Sequence, residues 1–208
     1  MAERSRSRSN AVTAEAIAER RAEILGHAAE SIVRGGVTGC TFAAVSESSG
    51  FSIGMIQHYF RTRDRLIDAC IDHRIAASEW EWRAIEAGNA DPLGRLRDLV
   101  AYAVDGEFAS GWGFWLELFN ASRLDPALRE QVGQRLMTWR LIFSDSIAGV
   151  VEGGATTTQR PIEDIASGLV GLADGLAMQV INSFYGMTPE RMRELLTAYL
   201  ADELGITI

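Results

Sequence analysis

Only four prolines punctuate the 208 residues, and each stands where a helix can begin. They are Pro92, Pro126, Pro161 and Pro189. Asp91, Asp125 and Thr188 precede three of them as caps, and acidic residues follow Pro161 (Glu163, Asp164) and Pro189 (Glu190). Proline suits a first helical position because the N–H it lacks would be unpaired there. A short polar side chain just before it can accept from the free amides of the first turn. This punctuation predicts helices near 92–105, 107–122, 126–152, 161–184 and 189–203.

Upstream the marks are glycines. Thr13 can cap a helix that runs to about Arg34, with Ile17, Ile24, Leu25, Ala28, Ile32 and Val33 at helical spacing, and Gly35-Gly36 stops it. A second helix starts at Thr41 and ends at Ser49-Gly50. A third covers about Ser52 to His58. Thr62 caps a fourth that runs through Ile71, Ile75 and Trp82 to about Ala87, where Gly88-Asn89 closes it. No segment sustains the period-two alternation of a strand. The expectation is an all-α fold of about nine helices, without repeats and with a loop at Gly153–Gln159.

Charge divides the chain. Residues 1–70 carry nine arginines against eight acids, whereas residues 71–208 carry eleven against twenty, giving the overall −8. Fields act locally, within about 10 Å at moderate salt, so an acidic C-terminal part does not bar the N-terminal part from a polyanion. Residues 1–12 read as a flexible basic tail whose Arg4, Arg6 and Arg8 could reach a DNA backbone or minor groove.

Thr41–Leu66, TFAAVSESSGFSIGMIQHYFRTRDRL, carries the functional pattern. Two short helices that cross sharply need a residue tolerant of positive φ between them, and Gly50 supplies it. Ser46, four residues earlier, is small enough for close approach. Ile56, six residues after the glycine, anchors the second helix, with Val45 and Phe51 beside it. Ser52, Ile53, Met55, Gln57 and His58 then point outward.

This run, after a helix and a double glycine, strongly resembles the DNA-binding segment of TetR-family repressors, and more narrowly the branch of choline-responsive betaine regulators. The Ser-Ile-Gly-Met-Ile-Gln-His-Tyr-Phe stretch carries the likeness over about residues 17–75. Phe51 stands where valine is more usual and Ser46 where alanine is. The resemblance implies a helix-turn-helix domain over 13–61 and a ligand-binding and dimerisation domain over 62–208. It implies a repressor that binds a palindromic DNA operator as a homodimer, releases it on binding a small inducer between helices four and eight, and needs no cofactor.

Candidate DNA contacts follow. Thr41 and Ser52 head helices and can meet phosphate with the backbone amides there. His58 and Tyr59 are phosphate donors by resemblance, and Arg63 supplies charge. Gly54 permits close approach to the groove. Gln57 can pair bidentately with adenine, and Ile53 and Met55 can touch thymine methyls.

All five tryptophans fall between residues 80 and 139. Trp112, Trp115 and Phe119 share one helical face, and Trp82, Trp139 and Phe143 join them in a set that suits either a helical core or an aromatic pocket for an amphiphilic or cationic ligand. Asp174 or Glu117 could neutralise such a cation. The most apolar predicted helix offers Ile165, Gly168, Leu169, Leu172, Leu176 and Val180, which with Leu196 of the last helix suit a four-helix interface between two copies.

Enzyme signatures are missing: there is no nucleophile elbow, phosphate loop or HExxH motif, and His27, His58 and His73 are scattered. Cys40 and Cys70 have no metal or redox spacing and read as small buried residues. With no secretory pattern and no run of 18 uncharged apolar residues, a cytoplasmic protein without a membrane partner is expected.

Overall fold

A computed structural model describes the backbone over residues 2–104 and 108–206, and side chains over 14–104, 111–134 and 136–206. The described residues form helices α1 (Ala2–Gly39), α2 (Phe42–Ser49), α3 (Ile53–Phe60), α4 (Arg63–Gly88), α5 (Pro92–Val104), α6 (Phe108–Ser122), α7 (Pro126–Glu152), α8 (Ile162–Ile181) and α9 (Pro189–Leu204), with a 3₁₀ turn at Phe184–Gly186 and no strand. The ends expected at 105 and 107 lie outside the described residues.

The caps predicted before three of the prolines form. The Asp91 carboxylate accepts from the amides of Leu93 and Gly94. Asp125 accepts from Ala127 and Leu128, and Thr188 from Arg191. Gly36 breaks α1 with φ of 68°, as the double glycine implied. Two boundaries differ. α1 begins at Ala2 and not at Thr13, because Ala2, Glu3, Arg4, Arg6, Arg8 and Ala11 favour helix and no glycine or proline interrupts them. The side chains of Arg4, Arg6 and Arg8, proposed as a basic arm, lie outside those described. α8 ends at Ile181 and not near 184, since Ser183 and Tyr185 adopt left-handed φ of 54° and 57°.

Residues 1–77 form one compact unit and 78–208 another, with the division inside α4. The physical reason is that the first half of α4 buries Leu66, Ile67, Ala69, Cys70 and Ile71, while the core of α1 is Ile24, Leu25, Ala28 and Ile32. The Cys70 thiol donates to the Leu25 carbonyl at 3.5 Å, tying α4 to α1.

The second unit is built on α8. Ile165, Ala166, Leu169, Ala173, Leu176 and Ala177 are buried along one face, packed with Leu96, Leu99, Val100 and Val104 of α5, Ile142, Phe143, Ile147 and Val150 of α7, and Met192, Leu196, Leu200 and Leu204 of α9. Among the described residues α8 alone is long and apolar enough to cross a membrane by length and composition. Its apolar face is nevertheless occupied by this core.

The interface residues expected on α8 and α9 differ in how far their own chain covers them. Ile165, Leu169, Leu176 and Leu196 are at most 5% exposed within a single copy. Leu172 and Val180 are half-buried against the same core. Gly168 makes room for α9 of its own chain. A Cβ there would fall 2.1 Å from Tyr199 Oη, whose hydroxyl donates to the Ile165 carbonyl at 3.1 Å. Period-3.6 reading finds the apolar face but not which neighbour covers it. Gly168→Ala is expected to displace Tyr199 and lower the unfolding free energy by about 1–3 kcal/mol. Chemical denaturation of the two proteins measures this.

Candidate DNA-reading head and ligand site

The head starts from its turn. Gly50 has φ of 75° and donates its N–H to the Ser46 carbonyl at 2.9 Å. The Ser46 hydroxyl donates to the Phe51 carbonyl at 2.7 Å, bonding across the turn. Ser49 completes the corner: its hydroxyl donates to the Val45 carbonyl at 2.6 Å and accepts from the Phe51 amide at 3.2 Å. Ser46 was legible as small; its hydrogen bond was not, because the partner depends on the turn having formed.

Ile56 is fully buried and Phe60 3% exposed, so α3 is anchored along one side. The Arg21 guanidinium of α1 lies 5.3 Å from the centre of the Phe60 ring, a cation–π contact that sequence spacing does not announce. The opposite side of α3 is open. Ser52, Ile53, Gly54, Met55, Gln57 and His58 are exposed and Tyr59 half-exposed. Ile53 and Met55 keep 44% and 36% of their surface, which is unusual for large apolar side chains of a packed head.

Both candidate helix starts are capped by hydroxyls. Thr41 Oγ1 accepts from the Ala44 amide at 3.1 Å, and Ser52 Oγ accepts from the Met55 amide at 3.2 Å. Each hydroxyl keeps its own proton for an incoming oxygen. At the exit from α3, Arg61 has φ of 66° and ψ of −55°, and the Thr62 amide donates to the Phe60 carbonyl at 2.7 Å. This is a classic-type γ-turn, a strained conformation for a residue with a Cβ. Arg61 and Arg65 are exposed. Arg63, expected to supply phosphate charge, has a side chain 36% exposed whose Nε donates to the Cys40 carbonyl at 2.8 Å and whose Nη2 donates to the Val37 carbonyl.

Burial pushes both thiols up, Cys40 to about 11 despite the nearby Arg63 guanidinium and Cys70 to about 12. Both are buried and protonated at neutral pH. Among the described residues no group of three His, Cys, Asp or Glu side chains could hold a metal.

In the second unit the expected aromatics are only partly gathered. Trp139 stacks on Tyr102 with ring centres 5.8 Å apart and planes at 15°, and lies 6.1 Å from Phe143. The Trp112 indole donates to the Ala103 carbonyl at 3.2 Å. Trp115 meets Phe114 edge to face at 5.3 Å. Phe114 and Phe143 are core, while Trp82, Trp112 and Trp139 are half-buried against it. Trp115 and Phe119 are also half-buried. Tyr102 belongs to this set and was missed, because a lone tyrosine on α5 carries no spacing signal.

Asp174 is half-buried on α8, and burial alone pushes its carboxyl up to about 6. A carboxylate raised above its unfolded value contributes stability that is complete below about pH 4 and lost as pH rises through about 6. Asp174→Asn is therefore expected to stabilise the protein at pH 7.5 and to flatten its stability between pH 4 and 7, followed by denaturation at a series of pH values.

A two-turn helix anchored on one side, open on the other and entered through a left-handed glycine is the reading element of a helix-turn-helix regulator. A family profile for the C-terminal part of BetI-type transcriptional repressors matches residues 92–205. The HTH-type transcriptional regulator BetI of Paraburkholderia xenovorans is 33% identical over 161 residues, 76% of this chain and 79% of that protein. Its counterpart in Burkholderia lata is 34% identical over the same coverage. Among solved structures, a transcriptional regulator from Saccharomonospora viridis in complex with choline superposes with a TM-score of 0.81 at 22% identity, covering 90% of this chain and 98% of that one. A TetR-family regulator from Rhodococcus sp. gives 0.78 at 21%, covering 90% and 99%. The chain belongs to the BetI-type branch of the TetR family and is a DNA-binding transcriptional repressor.

Proposed function

We propose that this repressor acts as a homodimer on a palindromic operator and is released by a small ligand, with an amphiphilic amine as the leading class. The observation that carries the DNA half is the open side of α3, where Ser52, Ile53, Gly54, Met55, Gln57 and His58 stand exposed while Ile56 and Phe60 are buried. Gln57 reads adenine through its amide, and Ile53 and Met55 meet thymine methyls. Thr41, Ser52, His58 and Tyr59 contact phosphates with the exposed guanidiniums of Arg61 and Arg65. Gln57→Ala should relax one operator position by about 1–3 kcal/mol. Arg61→Ala should weaken all sequences and lower the salt slope by about one ion. Fluorescence anisotropy on operator and random DNA separates the two. Footprinting of the chain's own upstream DNA, repeated with candidate amines, tests the function as a whole.

Dimerisation is assigned to the side of α8 that its own core leaves open, Gly171, Gly175 and Met178, the last 44% exposed. A C2 pair would set two α3 helices about 34–36 Å apart, one turn of DNA.

For the ligand, the half-buried aromatics Trp82, Trp112, Trp115, Phe119 and Trp139 offer ring faces, and the buried Phe143 lies 6.1 Å from Trp139. Asp174 offers a carboxylate that a cation would hold ionised. The structural relative from Saccharomonospora viridis was solved with choline, which supports an amine of this kind. Amine affinity should then fall as pH drops below about 6, where Asp174 takes up its proton. Asp174→Asn should weaken amine binding and remove that dependence, read by calorimetric titration at pH 5.5 and 7.5. An unchanged pH profile in the variant would exclude Asp174 as the counter-ion.

A further inference from the structure

The strongest unabsorbed feature of the head is the side chain of Arg63. It sits at the first position of α4, yet its guanidinium points back across the fold to the Val37 and Cys40 carbonyls. Those carbonyls lie at the end of α1, beyond the break at Gly36. The Val37 carbonyl also accepts from the Cys40 amide at 3.3 Å, so the two carbonyls that Arg63 reaches belong to one tight turn between α1 and α2. Arg63 reaches this turn from the start of another helix. Asp64, 89% exposed, lies 3.7 Å from the same guanidinium and is its only ion-pair partner among the described residues.

The next residue after Cys40 is Thr41, the cap of α2. We propose that Arg63 is a positioning residue: it pins the 37–40 segment to the first turn of α4 and so sets where Thr41 presents its hydroxyl and the α2 amides to a phosphate. The planar fork of arginine reaches two carbonyls at once, which the single point charge of lysine does not reproduce. The phosphate charge of this region then belongs to the exposed Arg61 and Arg65. This assignment rests on the DNA-binding reading of the head and deepens it.

The test uses the full chain with Arg63→Ala and Arg63→Lys, and Arg61→Ala as the comparison. Hydrogen exchange without DNA is expected to quicken by about tenfold at the amides of Cys40, Ala44 and Val45 in Arg63→Ala, with α8 and α9 unchanged. Arg63→Lys should restore only part of the protection. In salt-titrated binding to the upstream DNA, Arg63→Ala should lose about tenfold in affinity and Arg63→Lys less, both at an unchanged salt slope, whereas Arg61→Ala lowers the slope. A slope reduced by one ion with unaltered exchange in Arg63→Ala would make it a phosphate ligand and overturn the proposal. Full rescue of exchange and affinity by lysine would overturn it as well. Exchange needs no DNA, so a wild-type chain that ignored its upstream DNA would count against the proposed function while the pin was still decided.

Discussion

A helix of two turns cannot hold itself in water; its nucleation cost exceeds what so few hydrogen bonds return. α3 exists because Ile56 and Phe60 are taken out of solvent on one side. Everything the head does depends on that burial. With one side committed to the core, the remaining residues of an eight-residue helix have no choice but to face outward. Arg21 against the Phe60 ring and the Ser46 hydroxyl on the Phe51 carbonyl then fix the angle at which the helix leaves the turn. The reading surface follows from packing: its chemistry is free to vary as long as Ile56 and Phe60 stay.

The second unit obeys the opposite economy. α8 has few polar positions, and its apolar stripe is largely taken up by the core it shares with α6, α7 and α9. What is left outside is narrow and made of small residues around Met178. A narrow strip of glycines lets two backbones approach closely. In the proposed dimer that would favour association through shape and not through a broad greasy patch.

Much of this was legible before any coordinates. Prolines with preceding Asp or Thr gave helix starts to within a residue, because capping is local chemistry: the cap and the amides it serves are two or three residues apart. Gly50 and Ile56 were legible for the same reason. The sequence was silent where partners are distant in the chain. Arg63 reads as a basic residue at a helix mouth, and only the fold brings Val37 and Cys40 to it. The division inside α4 was likewise hidden, since a continuous helix carries no mark where its packing partners change. Ile165, Leu169, Leu176 and Leu196 show the same limit: periodicity states that a face is apolar, not whether it meets its own chain or another.

The two thiols have a practical consequence. Both cysteines of the chain lie in the head unit, buried and protonated, and residues 78–208 contain none. A thiol reagent can therefore enter only when the head opens. The rate at which the native protein takes up such a label is a clock for that opening. The molecule thus comes with an intrinsic gauge of how often its reading element comes apart, available without adding a single foreign residue.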